Sequence, residues 1–211
     1  MKADTIVVMF SGIVQEVGTV KNINSKSNIL ELVISSSGLI RDLQIGSSIA
    51  VNGCCQTVVE KDDKSFKVEA TQETLGKTNF RNLQIGSKVN LEASLKLGEK
   101  LDGHLVTGHI DGIGEVEILD FSEDKIIKIF FPKELDKFIA QKGSVAVNGV
   151  SLTVIEVKND NFTFSLIPYT KNNTNLGFLK SGDLVNLEVD LISRYLINYL
   201  EKSREYANYE S

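Results

Sequence analysis

The sequence predicts an all-β protein made of two tandem, homologous, six-stranded antiparallel β-barrels of Greek-key type, followed by a C-terminal α-helix. Three observations predict this fold. Short β-branched runs alternate with turn residues, an Asn-Gly pair twice separates two such runs, and the second pair follows the first at a spacing of 96 residues (Asn52 and Asn148). Asn and Gly both tolerate positive φ, so Asn-Gly between apolar runs is a strong hairpin signal.

The two hairpin segments indicate an internal duplication. Residues 48–60 read Ser-Ile-Ala-Val-Asn-Gly-Cys-Cys-Gln-Thr-Val-Val-Glu, and residues 144–156 read Ser-Val-Ala-Val-Asn-Gly-Val-Ser-Leu-Thr-Val-Ile-Glu. The spacing stays constant along the chain, and its length is that of a domain rather than of a solenoid unit. We therefore divide the chain into a first barrel at 9–98, a second barrel at 99–190 and a tail at 191–211.

The elements follow the same order in both copies. Glycines in the first strand of each copy predict a bulge or a close backbone approach. About six short strands per copy favour a closed or nearly closed barrel. Strands are predicted at 9–20, 29–35, the hairpin 48–60, 65–70 and 88–92, and again at 104–116, 126–131, the hairpin 144–156, 161–167 and 184–190, with short helices at 38–43 and 133–140 and a loop at 72–82.

The tail at 191–211 has helical periodicity. It lacks glycine and proline, and Ile192, Tyr195, Leu196 and Tyr199 recur at the spacing of a narrow apolar stripe, with Tyr206 further along. Two interpretations stay open from periodicity alone: the stripe packs on its own barrel, or it contacts another subunit.

Composition excludes several classes of protein. A formal net charge of −5 without a long basic run argues against nucleic-acid binding. No apolar run approaches the roughly 20 residues of a membrane span. The two cysteines are adjacent, so there is no disulfide framework, which fits a reducing cytoplasm, and a disulfide between neighbours would be strained.

Small polar side chains mark one face of each hairpin. Residues two apart on a strand share a face, so Cys55 points with Thr57 and Ser151 points with Thr153. Such groups could carry chemistry, but small hydroxyls and thiols also commonly fill space in a barrel wall. Alternation alone favours the second interpretation.

Both histidines lie in the segment 103–109. His104 and His109 would point to opposite faces of a strand, which makes them a poor metal pair, and no metal is predicted. On such a strand Thr107 would share a face with His109, and the first copy has Ile13 at the equivalent position. His109 could therefore act as an acid or base near neutral pH, although a hydrogen-bonded surface histidine explains it as well.

Several motifs together resemble the trimeric, alpha-chain type of riboflavin synthase over nearly the whole chain. They are Met-Phe-Ser-Gly-Ile-Val at 9–14, Ser48 with Asn-Gly-Cys-Cys at 52–55, Glu-Thr-Leu at 73–75, Gly-His-Leu-Val-Thr-Gly-His at 103–109, Asn-Gly-Val-Ser-Leu-Thr-Val at 148–154 and Leu-Ile-Pro at 166–168. The resemblance implies a dismutation of two 6,7-dimethyl-8-ribityllumazine molecules. One molecule gives four carbons to the other, which yields riboflavin and 5-amino-6-ribitylaminouracil without a cofactor.

The resemblance also implies partners and domain roles. Each barrel binds one lumazine, and the reacting pair lies between the first barrel of one subunit and the second barrel of the next. The tail then becomes a trimerisation helix in a cytoplasmic homotrimer, with no nucleic-acid or membrane partner, and association with a lumazine synthase stays open. Family members usually start at the residue matching Met9, so residues 1–8 are expected to be an extension, from a misassigned start codon or added residues.

Site residues are carried over from the resemblance. Phe10 is expected to stack on the rings, His109 with Thr153 to handle protons, and Cys55 or Ser151 to act as a transient nucleophile or align water. Ser48 completes the catalytic set. The expected substrate-binding set is Gly12, Ile13, Val14, Cys55, Gln56, Thr57, Glu69, Ala70, Thr71, Gln72, Glu73, Thr74, Gly108, His109, Ile110, Lys142, Ser151, Leu152, Thr153, Ser165, Leu166, Ile167, Pro168, Tyr169, Thr170 and Asp190.

Three positions depart from the family pattern. Ser11 replaces the commoner Thr, Gln56 stands where an apolar residue is usual, and Tyr169 stands where a Glu is common. A competing class is a non-catalytic antenna protein that shares the fold and binds lumazine or a flavin. Such proteins typically lose the histidine at the position of His109 and the trimer-forming tail, and this chain keeps both. A purely structural module would leave the asymmetric polar groups unexplained.

Overall fold

The computed structural model describes residues 9–26, 28–119 and 125–209, so the extension at 1–8 lies outside it. Thirteen strands and three α-helices follow one another within these residues. They are β1 Glu16–Lys26, β2 Ile29–Ser35, β3 Ser48–Val51, β4 Cys54–Lys61, β5 Ser65–Thr71, α1 Gln72–Lys77, β6 Lys88–Ala93, β7 Gly112–Ile118, β8 Lys125–Phe130, β9 Ser144–Val147, β10 Val150–Thr153, β11 Glu156–Lys158, β12 Asn161–Leu166, α2 Pro168–Asn173, β13 Leu184–Val189 and α3 Leu191–Tyr209.

The first copy forms the predicted closed antiparallel barrel, in the order β1-β2-β5-β4-β3-β6. Its hairpin turns at Asn52 and Gly53, which both have positive φ (46° and 76°). Alternation sends every second side chain inward, so Leu32 and Ile34 of β2 are fully buried beside Phe66. The barrel core therefore follows from the period-two pattern of the sequence.

The second copy curls in the same way but forms a seven-stranded sheet, in the order β10-β9-β13-β7-β8-β12-β11. The strand that is continuous as β4 is divided here at Val154 and Ile155. The same place carries a β-bulge in the first copy, between Val58 and Glu60. The position that is a β-bulge in the first copy is thus a complete break in the second copy, where it separates β10 from β11.

The first strand of each copy begins later than predicted. The expected strands at 9–20 and 104–116 begin at Glu16 and Gly112, and the preceding residues run irregularly between the barrels. Gly12 and Gly108 have φ of 75° and 77°, which takes the backbone out of the extended region. The close backbone approach predicted at glycine is confirmed, and the strands are confirmed only from Glu16 and Gly112 onward.

The segment predicted as a loop at 72–82 is helical. It forms α1 and then a 3-10 helix at Asn79–Asn82, and Thr71 caps α1 by accepting a hydrogen bond from the Thr74 N–H. A six-residue helix is too short to show helical periodicity, which explains the error. The short helices predicted at 38–43 and 133–140 are 3-10 helices at Leu39–Arg41 and Lys133–Phe138.

Six buried asparagines join the two barrels around a local two-fold axis. Their side chains and main chains bond across the join: Asn90 donates to the Asn148 carbonyl oxygen at 2.9 Å and Asn186 donates to the Asn52 carbonyl oxygen at 2.9 Å. The asparagine seam comprises Asn52, Asn79, Asn90, Asn148, Asn175 and Asn186.

The helix α3 leaves its apolar stripe uncovered. Tyr195 and Tyr199 are 71% and 69% exposed, while the opposite side is attached to the second barrel through the ion pair of Arg194 with Asp111. The interpretation in which the stripe packs on its own barrel is therefore wrong for this chain. Within the described residues, no helix combines the length and apolarity that a membrane crossing requires.

We expect Asn186→Ala to lower the free energy of unfolding by about 2–4 kcal/mol, because it leaves the Asn79 N–H and the Asn52 carbonyl buried without partners. Asn90→Ala should cost the same by symmetry. Urea unfolding measures both, and the exposed Asn82→Ala is the control with a change near zero. Equal values for all three variants would contradict a stabilising role of the asparagine seam.

Candidate functional site

A polar pocket of about 300 Å³ lies on the outer face of the first barrel. β4 supplies Cys55, whose side chain points outward because it alternates with the buried Cys54 and Gln56. The helix α1 supplies a second wall with Glu73, Thr74 and Lys77. Donors, acceptors and a cation thus converge on one concave surface, as in small-molecule sites.

The third wall of this pocket comes from the other copy. Gly108, His109 and Ile110 precede β7 of the second barrel but lie against β4 of the first. The Cys55 N–H donates to the Gly108 carbonyl oxygen at 2.9 Å. A Cβ at Gly108 would lie 2.6 Å from the Cys55 Cβ, so only glycine allows this approach.

The equivalent contact exists on the second barrel with different side chains. The Ser151 N–H donates to the Gly12 carbonyl oxygen at 2.8 Å, and Ile13 occupies the place of His109. His104 Nδ1 is 2.7 Å from Ser151 Oγ, while the buried His104 Nε2 has no partner in the described residues. The exposed His109 thus lies against the first barrel, and the buried His104 lies against the second.

Burial keeps these groups neutral. It raises the pKa of the Cys55 thiol, and a hydrogen bond from the Ser48 hydroxyl offsets part of that rise. Burial also raises the pKa of Cys54 to about 12. The pKa of His104 is lowered by burial, against the opposing charge of Asp190. Near neutral pH the sites therefore present thiols and a neutral imidazole rather than thiolates and an imidazolium.

The structure brings together six of the predicted site residues in one pocket. Three further lining residues, Cys54, Lys77 and Thr78, are absent from the predicted set. Cys54 is the buried neighbour of Cys55 on β4, and the other two lie in the segment predicted as a loop, where Lys77 follows Glu73 by four residues and Thr74 by three. The predicted members of the pocket are Cys55, Glu73, Thr74, Gly108, His109 and Ile110.

Other predicted residues lie elsewhere. Phe10 is completely buried between the barrels with Val106, Ala50 and Ala146, so its stacking on a ring stays a prediction. Ala70 and Leu166 are core side chains and could meet a ligand only through their backbone.

The side chains of Gln56 and Thr107 point in directions that the sequence did not predict. Gln56 points inward, and its amide donates to the Cys55 carbonyl oxygen at 2.7 Å. Thr107 does not share a face with His109, because its hydroxyl donates to Glu188 at 2.7 Å. Gln56 points inward because it alternates with Cys55 on β4, whereas Thr107 turns away from His109 because the segment before β7 is not a strand.

The remaining predicted residues are not part of the pocket lining. Those with exposed side chains are Thr57, Glu69, Thr71, Gln72, Lys142, Thr153, Ile167, Pro168 and Tyr169. Their roles in binding stay predictions. The half-buried remainder is Val14, Ser48, Leu152, Ser165, Thr170 and Asp190.

Fold and site together define a duplicated small-molecule-binding barrel protein. Residues 11–94 and 107–190 each match the family model of the lumazine binding domain. The riboflavin synthase of Brucella abortus is 42% identical over 193 residues, covering 89% of this chain and 96% of its own. That of Bacillus subtilis is 36% identical over 201 residues, covering 93% and 92%. The chain belongs to the riboflavin synthase family.

Solved structures give the same fold. LumP complexed with riboflavin matches with a TM-score of 0.81 at 31% identity, over 86% of this chain and 99% of that one. LumP complexed with 6,7-dimethyl-8-(1'-D-ribityl) lumazine matches with a TM-score of 0.78 at 30% identity and the same coverage.

We expect Cys55 to react slowly with iodoacetamide at pH 7 and faster only when the pH rises beyond the ordinary pKa range of a cysteine thiol, because burial raises its pKa and the thiolate is the reactive form. Ser48→Ala should slow labelling further by removing a hydrogen bond that favours the thiolate. Mass spectrometry across the pH range measures both, with Cys55→Ser as the unlabelled control. Rapid labelling at pH 7 would show a thiolate at this position.

Proposed function

We propose that this protein is a riboflavin synthase. It transfers a four-carbon unit between two molecules of 6,7-dimethyl-8-ribityllumazine and releases riboflavin and 5-amino-6-ribitylaminouracil. The observation that carries the proposal is the polar pocket in which Cys55 of one copy meets His109 of the other. Close relatives named riboflavin synthase over about nine-tenths of the chain support the same reaction.

The duplication suits a reaction between two identical substrates. Each barrel has a polar residue on its hairpin, Cys55 or Ser151, whose N–H donates to a backbone carbonyl of the other copy. Carbonyl and N–H groups of this kind complement the alternating donors and acceptors of a pteridine edge. Each copy then holds one lumazine, and the two differ in the side chains that surround them.

We assign the proton transfers to His109. It is exposed at the pocket surface, and an imidazole accepts and donates protons near neutral pH. Of the two roles considered for Cys55, alignment of water or substrate is favoured over nucleophilic attack, because a thiol with a raised pKa supplies little thiolate. Ser151, whose hydroxyl contacts the neutral His104, is the equivalent aligning group on the second copy.

We propose a cytoplasmic homotrimer in which α3 forms the contact between subunits. Ile192 and Leu196 are 67% and 55% exposed and lie on the same stripe as the two tyrosines. An uncovered apolar stripe that lies opposite the attached side of a helix is typical of a subunit contact. Both cysteines are free thiols, which supports a reducing compartment.

The proposed reaction predicts one riboflavin for every two lumazines consumed, over many turnovers, when the purified protein is mixed with 6,7-dimethyl-8-ribityllumazine alone. We expect His109→Ala to lower the turnover number by about 10²- to 10⁴-fold, the usual contribution of a general acid or base. Absorbance and fluorescence of riboflavin measure both. The exposed Gln44→Ala, outside the pocket, is the control with wild-type turnover.

Two results would contradict this assignment. Tight binding of lumazine with a fluorescence change and no riboflavin would indicate a binding protein of the LumP kind. Unchanged turnover of His109→Ala would leave the reaction in place but remove His109 from it.

The subunit contact predicts that the double variant Tyr195→Glu and Tyr199→Glu changes a trimer into a monomer, because charges on the apolar stripe oppose its burial. Sedimentation equilibrium measures the mass. Asn198→Glu adds one negative charge off the stripe and should leave the trimer intact. A monomeric wild-type protein, or a double variant that stays trimeric, would contradict the role of α3.

A further inference from the structure

A buried carboxylate fixes the turn that carries His109. Glu188, at 2% exposure on β13, accepts hydrogen bonds from the Thr107 N–H and the Thr107 hydroxyl on one oxygen, both at 2.7 Å. Its other oxygen accepts from the Gly108 N–H at 2.9 Å. Three bonds to a charged acceptor hold the two residues immediately before His109, and such bonds are the strong ones.

The same turn is attached on its other side to the first barrel. The Gly108 carbonyl accepts from the Cys55 N–H, so Gly108 is bonded to Glu188 through its N–H and to β4 through its oxygen. His109 follows directly, and its position over the pocket depends on both bonds. Burial raises the pKa of Glu188, while the Thr107 and Gly108 bonds act in the opposite direction.

We call the three hydrogen bonds from Thr107 and Gly108 to Glu188 the Glu188 clamp, and the first copy contains an equivalent. Glu92 accepts from the Ser11 N–H and hydroxyl at 2.7 Å and from the Gly12 N–H at 3.1 Å. The residue that follows is Ile13 rather than a histidine. Two clamps with the same bonds therefore place two different side chains, and only the Glu188 clamp places a titratable one.

From this geometry we infer that Glu188 is a positioning residue, which sets His109 against Cys55 and the bound lumazine in the first barrel. The inference rests on the proposed function. Glu188 itself lies behind the turn and does not line the pocket. Glu92 is assigned the corresponding role for the predicted binding residue Ile13, so loss of the two clamps should affect different kinetic constants.

The test compares Glu188→Gln with Glu92→Gln. Glutamine keeps one oxygen that accepts hydrogen bonds but presents an N–H donor in place of the other carboxylate oxygen. Each substitution therefore removes at least one of the three bonds and loosens one turn, while the size of the side chain is kept. We expect Glu188→Gln to lower kcat by about 10- to 100-fold with little change in KM, because small misplacements of a catalytic group cost rates of this size. Glu92→Gln should instead raise KM. In the His109→Ala background, Glu188→Gln should have no further effect on kcat.

A second readout does not depend on turnover. The chain has two histidines, so ¹³C-labelled histidine gives two ring signals, and the His109 signal is the one missing from His109→Ala. It should shift in Glu188→Gln and stay in place in Glu92→Gln. If the wild-type protein makes no riboflavin, the proposed function fails, and this signal still tests the clamp.

The clamp can also be weakened without touching the carboxylate, in case Glu188→Gln does not fold. Thr107→Val removes one of the three bonds and should lower kcat several-fold, whereas Thr107→Ser keeps the hydroxyl, as Ser11 does in the first copy, and should retain wild-type kcat. Equal loss of kcat in Glu188→Gln and Glu92→Gln with an unmoved His109 signal would overturn the inference. A further fall in kcat when Glu188→Gln is added to His109→Ala, as large as its effect in the wild-type protein, would also overturn the inference.

Discussion

The hydrogen bonds of the asparagine seam determine how the two barrels are placed relative to each other. Amide groups buried between two barrels must find partners, and these find them across the join, where Asn186 and Asn90 each donate to a turn carbonyl of the opposite copy. The backbones at Gly53 and Gly149 meet so closely that a Cβ at Gly53 would lie 2.6 Å from the Gly149 nitrogen. Because the bonds are directional, one relative placement of the barrels satisfies them.

That placement makes each copy complete the surface of the other. The segments before β1 and β7 run across the join and attach to the opposite hairpin through the Gly12 and Gly108 carbonyls. The two attachments use matching backbone hydrogen bonds, from Ser151 to Gly12 and from Cys55 to Gly108. The chemical difference between them therefore lies in the side chains. His109 against Ile13 is the clearest such difference.

Burial decides what the polar groups can do. A thiol with a raised pKa on Cys55 and an imidazole with a lowered pKa on His104 are neutral hydrogen-bonding groups, not charged ones. Glu188 and Glu92 are buried acceptors for backbone N–H groups, and their place is behind the turns. The one exposed titratable side chain carried over these turns is His109, which is why the proposed proton transfers are assigned to it.

The duplication, the strand alternation, the Asn-Gly hairpins and the C-terminal helix could be predicted from the sequence alone, because they depend on local periodicity and turn chemistry. The motifs around Cys55 and His109 also identified the family. The path of the His109 segment away from its own barrel could not be predicted, because it depends on a glycine with positive φ and on a buried acceptor, Glu188, which lies 79 residues after His109 in the chain. Long-range hydrogen bonds and the burial of polar groups leave no periodic signal in the sequence. The asparagine seam, the two clamps and the shifted pKa values therefore follow only from contacts between distant residues in the folded chain.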